Sequence, residues 1–120
     1  MWYAPPGVKV YLGLGATDMR KSIDALSILV SKQLNQDLFS GHLFVFCNRR
    51  RTMLKVLYWD RNGFCLWHKR LEHDKFRWPE AERQVYEISS QELMWLIDGL
   101  DIHQALAHGA HGNYTYHEVY

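Results

Sequence analysis

Several features are scarce in this sequence of 120 residues, and each shortage excludes a class of protein. Its two cysteines, Cys47 and Cys65, are too few for a disulfide framework and lack metal-type spacing, so we expect both to be reduced residues of core strands. No run approaches the roughly 20 apolar residues that cross a bilayer. The segment Met1–Gly7 lacks the layout of a signal peptide. These shortages predict a cytoplasmic protein with no membrane partner.

Motifs for catalysis are also missing from the sequence. It contains no Gly-rich phosphate loop, no Ser nucleophile elbow and no zinc-type Cys/His spacing. We therefore expect no enzymatic activity, no metal and no cofactor. The competing hypothesis is a metal-dependent nuclease whose acids gather two metal ions. Its candidate ligands, which no spacing distinguishes from other acids, are Asp18, Asp24, Asp60 and Glu72.

The length and composition favour one compact domain. Hydrophobic residues make up 48% of the chain and aromatic residues 14%, which is enough apolar surface to offset the entropy of ordering it. We expect this domain to span residues 1–102. Residues 103–120 mix His, Gly, Ala and Tyr without a period, and we expect a loosely held or disordered tail there.

Hydrophobic periodicity predicts strands and two helices. A first helix should begin at Thr17, and a second should begin at Ser89, whose spacing to Glu92 is that of a capping box, and stop at Gly99. The predicted helices cover 17–34 and 90–99, and the predicted strands cover 8–12, 42–47, 52–59, 64–71 and 84–88. This order indicates an α+β fold, an antiparallel β-sheet (a meander with central hairpins) with two helices packed on one face.

The hairpin around Asn62-Gly63 has two candidate registers. A two-residue Asn62-Gly63 loop would place Lys55 opposite Arg70, and a three-residue loop centred on Asn62 would place Lys55 opposite Lys69. Either register sets two cations side by side, an arrangement that an anion would relieve.

The near-neutral net charge of +1 hides a segregation of charge. From Cys47 to Trp78 the chain has nine Lys or Arg against three acids, an excess of +6, and the remainder carries −5. Such a local excess suits a protein that meets an anionic partner on one side. Candidate phosphate contacts in this segment are Arg49, Arg50, Arg51, Lys55, Lys69 and Arg70.

Two further groups have competing interpretations. Arg20 and Lys21, near the expected start of the first helix, form a second candidate phosphate contact, whereas Arg20 and Asp24 are also spaced for an ordinary salt bridge. Interleaved aromatics could stack on unpaired bases, although tryptophans in a small sheet more often belong to the core. These aromatics are Tyr58, Trp59, Trp67 and Trp78.

Four motifs in order resemble a known family. They are Arg20-Lys-Ser-Ile-Asp-Ala-Leu26, Gly41-His-Leu-Phe-Val-Phe-Cys-Asn-Arg-Arg-Arg51, Lys55-Val-Leu-Tyr-Trp-Asp-Arg-Asn-Gly-Phe64, and Lys69-Arg-Leu-Glu72 followed by Phe76 and Trp78-Pro79. Over about residues 8–101 the chain resembles the TnpB-type accessory protein, the second reading frame of the three-gene IS66 class of bacterial insertion sequences. It departs from the expected pattern at Asp74, where the resemblance leads us to expect glycine.

The resemblance implies a role in transposition beside a separate DDE-type transposase, which would carry out strand transfer. Combined with the charge pattern, it leads to the hypothesis of a non-catalytic accessory factor that binds nucleic acid, with DNA favoured over RNA. The alternative is an assembly module whose basic face docks on the transposase without intrinsic DNA affinity. Self-association is left open.

Overall fold

The computed structural model describes residues 6–80 and 85–102, and the expected tail over 103–120 lies outside them. The elements in chain order are β1 (Val10–Gly13), α1 (Ile23–Ile28) continued by a π-helical turn (Leu29–Gln33), β2 (Leu43–Cys47), β3 (Met53–Asp60), β4 (Gly63–Arg70), β5 (Val85–Ile88) and α2 (Ser90–Ile97). The α+β class expected from the sequence is confirmed. Within the described ranges, no helix is long and apolar enough to cross a membrane.

The five strands form one sheet in the order β4-β3-β2-β1-β5. β2, β3 and β4 form the expected antiparallel meander, and β5 is antiparallel to β1. β1 and β2 are parallel, because the chain crosses over through α1 between them. All five residues of β2 are buried, as expected for a strand with another layer on each face.

The prediction that both helices pack on one face of the sheet is wrong. Alternate residues of β2 belong to two separate clusters, with Val45 on the side of α2 and Phe46 on the side of α1. Leu93 of α2 is buried in the first cluster, and Leu26 of α1 in the second. A fully apolar strand needs cover on both faces, which one layer of helices cannot supply.

The first helix is shorter than the predicted span 17–34. The helix begins at Ile23 after Ser22, and its apolar face buries Leu26, Val30 and Leu34 as the periodicity predicted. The chain before it forms a turn, in which the Asp18 carbonyl accepts a hydrogen bond from the Lys21 N–H at 3.1 Å. The predicted cap Thr17 instead donates its N–H to the Cys47 carbonyl at 2.9 Å, which holds this stretch beside the sheet.

The second helix confirms its predicted capping signals. The Ser89 hydroxyl accepts the Glu92 N–H at 3.0 Å, and the Glu92 carboxylate accepts the Ser89 N–H at 2.9 Å. These two bonds satisfy donors that a helix start leaves unpaired. Gly99, with φ of +83°, follows the helix and supplies the left-handed conformation that favours glycine there.

Both registers expected for the Asn62-Gly63 hairpin are wrong. The turn residues are Arg61 and Asn62, and Asp60 pairs with Gly63, so Lys55 lies opposite His68 rather than opposite a second cation. This register matches apolar with apolar residues across the strands, in the pairs Val56–Trp67, Leu57–Leu66 and Trp59–Phe64. Cross-strand apolar pairing thus outweighs the preference of Asn-Gly for the turn, and Arg61 adopts a positive φ of 52° to permit it.

Candidate nucleic-acid interface

The sheet topology brings three loops to one end of the molecule. Because β1 and β2 are parallel and the next two strands alternate, this end receives the loop after β1, the β2–β3 turn and the chain after β4. We call segments 14–22, 48–52 and 71–80 the basic end. Its Lys and Arg residues are Arg20, Lys21, Arg49, Arg50, Arg51, Lys75 and Arg77, against the acids Asp18, Glu72, Asp74 and Glu80.

The β2–β3 turn at this end is held rigidly by Asn48. Its side-chain oxygen accepts the N–H groups of Thr52 and Met53 at 2.9 and 3.0 Å, and its carbonyl accepts the Arg51 N–H at 3.1 Å. Arg49 and Arg50 thereby occupy the two central positions of the turn, with both side chains exposed. We call this pair the basic tip. The role of Asn48 was missed in the sequence analysis, although asparagine next to a charged turn is a known signal for such bonds.

Arg51 has a structural position that its neighbours in the turn do not share. Its φ of 62° places a non-glycine residue in the left-handed region, where the fold must hold it. Its guanidinium donates to the Trp78 carbonyl at 2.6 Å and to the Glu80 carboxylate at 3.0 Å, while its carbonyl accepts the Phe76 N–H at 2.7 Å. Arg51 therefore fastens the chain after β4 to the turn.

The segment that Arg51 fastens contains the departure from the family pattern. Asp74 has a φ of 70°, the conformation for which glycine is the usual choice, and its carboxylate accepts the Lys75 N–H at 2.9 Å. Aspartate is among the few residues that tolerate this conformation, because its short side chain hydrogen-bonds locally. Asp74 therefore adopts a turn conformation that glycine would also permit.

Lys55 holds the loop after β1 in place. Its side chain is only 9% exposed, and the ammonium donates to the carbonyls of Met19 and Lys21 at 2.8 Å each. In a helix beginning at Thr17, those two carbonyls would accept hydrogen bonds from residues 23 and 25. These bonds explain why the helix starts late, and they place the Lys55 charge inside the fold.

The predicted cations of β4 lie on opposite faces of the sheet. The Lys69 ammonium donates to the Ile97 carbonyl at 2.9 Å, which satisfies an acceptor at the end of α2. Arg70 pairs with Glu72 at 2.9 Å. Beside it on the α1 face, burial lowers the pKa of His68 below its ordinary value of 6.5, and the charges of Lys55 and Arg70 lower it further. His68 therefore adds no charge to this surface at neutral pH.

The sequence offered two roles for Arg20, a phosphate contact at the helix start and a salt bridge with Asp24, and the structure gives it a different partner. It contacts Asp18 rather than Asp24, with Nη2 2.6 Å from the carboxylate, and it precedes α1 instead of lying on it. The hydrogen bond from the Arg20 side chain is the main reason that the pKa of Asp18 falls to about 2. Lys21 is half-buried beside it. Across an open groove of about 570 Å³, this loop faces the basic tip.

The exposed cations that have no hydrogen-bonded or ionic partner among residues 6–80 and 85–102 are concentrated at the basic end. Two of them are Arg49 and Arg50, which the sequence analysis selected. Two more at this end, Lys75 and Arg77, counted toward the charge excess but were not predicted as contacts, whereas Lys9 and Lys32 are exposed without a described side-chain partner elsewhere in the fold. Of the eight predicted contact residues, Arg49 and Arg50 are exposed without a described partner, and Lys21 is half-buried. The other five have structural partners: Arg20, Arg51, Lys55, Lys69 and Arg70.

The aromatic residues near the hairpin are used in packing. Trp78 is buried, and Tyr58 and Trp67 pack against the cluster on the side of α2. Trp59 makes an edge contact with Phe64 at a ring-centroid distance of 5.0 Å, at the opposite end of the sheet from the basic tip.

In the described part of the chain, no group of three or more His, Cys, Asp or Glu side chains is placed to hold a metal ion.

The fold and its basic end define a small α+β protein with a rigid, exposed arginine turn. The family model described as IS66 Orf2-like protein matches residues 8–107, and the chain belongs to this family. It is thus an accessory protein of an insertion sequence, as the four motifs implied.

Two curated relatives come from Sinorhizobium fredii (strain NBRC 101917 / NGR234). The uncharacterized protein y4hO is 39% identical over 94 residues, which cover 78% of this chain and 82% of the relative. The uncharacterized protein y4jC is 33% identical over 95 residues, which cover 79% of this chain and 81% of the relative. No solved structure matches the chain.

Proposed function

We propose that this protein is a non-catalytic accessory factor of transposition that binds DNA through its basic end and assists a DDE-type transposase. One observation carries the proposal: Arg49 and Arg50 are exposed at the centre of a turn whose backbone is fixed by Asn48, and no described residue pairs with them. Because the backbone of the turn is already ordered, only the side chains of the two arginines lose entropy when they bind a phosphate. Lys75 and Arg77 extend the same end of the surface.

The remaining selected cations support the proposed surface from within. The ammonium groups of Lys55 and Lys69 already donate to backbone carbonyls. We therefore infer that Lys55 holds the loop after β1 and that Lys69 holds the end of α2. Arg51 likewise fastens the chain after β4. Phosphate contacts therefore belong first to the basic tip, since Arg20, which lines the same groove, is already paired with Asp18.

The test compares charge-matched double variants in binding to a labelled DNA duplex by fluorescence anisotropy. Arg49→Ala/Arg50→Ala removes two proposed phosphate contacts, so affinity at about 0.1 M salt should fall by on the order of 10- to 60-fold, and the salt slope by about two. The control Lys9→Ala/Lys32→Ala removes two exposed cations outside the basic end and should change both quantities little. Thermal unfolding should be unaltered in both variants.

Equal loss of affinity in both double variants would contradict a localised surface. An absence of any DNA affinity, together with nuclease-resistant co-purification with the transposase, would favour the assembly-module alternative instead. Incubating the duplex with protein and magnesium tests the nuclease alternative. We expect intact DNA, whereas cleavage that is lost on replacing Asp18, Asp24, Asp60 or Glu72 would contradict a non-catalytic role.

A further inference from the structure

Arg20 has a different chemical setting from the two arginines of the basic tip, although all three line the same groove. Its Nε donates to both carboxylate oxygens of Asp18, at 3.1 and 3.0 Å, and Nη2 donates to one of them at 2.6 Å. The same carboxylate also accepts the backbone N–H of Arg20 at 2.9 Å. Asp18 therefore fixes the orientation of the guanidinium plane.

This pairing leaves one edge of the guanidinium unused. The carboxylate occupies the side formed by Nε and Nη2, so the end formed by Nη1 and the second Nη2 hydrogen points away from Asp18. The Arg20 side chain is 91% exposed, and that of Asp18 is 43% exposed. Arg20 thus presents two parallel N–H donors to solvent, on the side away from Asp18.

The backbone that carries Arg20 is also fixed. The carbonyls on either side of it, those of Met19 and Lys21, each accept a hydrogen bond from the buried Lys55 ammonium at 2.8 Å. A donor pair held from both its backbone and its guanidinium has little freedom left to lose on binding. Such prior ordering is characteristic of a group that discriminates between ligands rather than one that only attracts them.

The charge of the pair indicates which ligand fits. A phosphate at the free end of Arg20 would lie near the ionised Asp18 carboxylate, which repels it and cancels much of the attraction from the guanidinium. Arg49 and Arg50, without an acidic partner among the described residues, carry no such penalty. The Arg20 site therefore favours a neutral ligand with two adjacent acceptors. In nucleic acid, O6 and N7 of guanine form such a pair, and arginine binds them with two parallel hydrogen bonds.

We propose that Arg20, oriented by Asp18, recognises the O6/N7 edge of a guanine while the basic tip holds neighbouring phosphates. This assignment rests on the proposed DNA-binding function and gives it a base preference. Asp18 acts as a positioning residue, since it sets the direction of the guanidinium without touching the base.

The test uses labelled duplexes that are identical except that guanine is replaced by 7-deazaguanine, which lacks the N7 acceptor. The full-length protein should bind the guanine duplex roughly 5- to 150-fold more tightly than the 7-deaza duplex. Arg20→Lys keeps the charge but loses the paired donors, so this preference should disappear with little change in salt slope. Arg61→Lys is the matched control, because Arg61 is also 91% exposed beside an aspartate but lies at the other end of the sheet.

Asp18→Asn separates base recognition from phosphate binding. Removing the carboxylate charge frees the guanidinium and favours anions, so total affinity should rise and the salt slope should steepen by up to one, while the guanine preference shrinks. Equal binding of both duplexes by the unmodified protein, or a preference that survives Arg20→Lys, would overturn guanine recognition. If Arg49→Ala/Arg50→Ala still weakens binding to both duplexes in that case, the proposed DNA-binding function stands without guanine recognition. If the unmodified protein binds neither duplex, both the proposed DNA-binding function and guanine recognition are overturned.

Discussion

Replacing Lys55 by methionine should destabilise the fold and loosen the loop that carries Arg20. Lys55 is the buried charged residue of the described chain, and methionine has a similar length, so packing against the sheet should be kept while the ammonium is removed. The substitution leaves the carbonyls of Met19 and Lys21 without their donor. The same change at the exposed Lys75, whose ammonium has no described partner, is the control.

The magnitude follows from two opposed contributions. A hydrogen bond to a charged group contributes about 1.5–3 kcal/mol, and Lys55 makes two. Removing a buried charge recovers part of that, because desolvation of an ammonium costs several kcal/mol. We expect a net loss of about 2 kcal/mol, which for a domain of this size is roughly 8 °C in Tm. Lys69→Met breaks one bond, to the Ile97 carbonyl, and should lose about half as much.

Urea unfolding and amide hydrogen exchange measure the two consequences separately. The free energy of unfolding should fall in the order Lys75→Met, Lys69→Met, Lys55→Met, with the first unchanged within about 0.5 kcal/mol. Exchange in residues 17–22 should accelerate in Lys55→Met alone. A Lys55→Met variant as stable as the unmodified protein would refute the reasoning, because desolvation of the ammonium would then outweigh its two hydrogen bonds.

Two further outcomes follow from local conformation and burial. Arg51→Ala should lower the free energy of unfolding in urea by about 2 kcal/mol, because the hydrogen bonds to Trp78 and Glu80 disappear. Arg51→Gly should be about 1 kcal/mol more stable than Arg51→Ala, because glycine tolerates the φ of 62°. The reverse order of stability would contradict a strained backbone at this position. Burial raises the pKa of Cys47 to about 11, so iodoacetamide near pH 8 should modify Cys65 and leave Cys47 intact in the folded protein by mass spectrometry, and equal labelling would contradict the burial of Cys47.

Local signals in the sequence were sufficient for most elements. The capping box of Ser89 and Glu92 and the glycine at position 99 defined α2 because helix ends are specified by residues a few positions apart. The first helix was predicted to start too early. The hydrogen bonds that keep the residues before Ile23 out of the helix come from Lys55, more than 30 residues away in the chain. No periodicity in residues 17–34 contains that contact.

In the candidate site, too, local sequence predicted some features and contacts between distant residues decided the others. The exposed charges of Arg49 and Arg50 could be recognised from a run of arginines at a turn between strands. The sequence could not separate them from Lys55, Lys69 and Arg51, because a cation that binds a phosphate and one that binds a backbone carbonyl look alike until their partners are known.

By itself, the sequence determined the α+β class, the position of the charge excess and the family, because each depends on residue type and on spacing along the chain. The tertiary structure decided the hairpin register, the two-sided core and which of the described cations have a partner, because each depends on contacts between distant segments. Apolar pairing across β3 and β4 moved the turn to Arg61-Asn62, and the topology of β1 to β4 then brought the basic tip opposite Arg20.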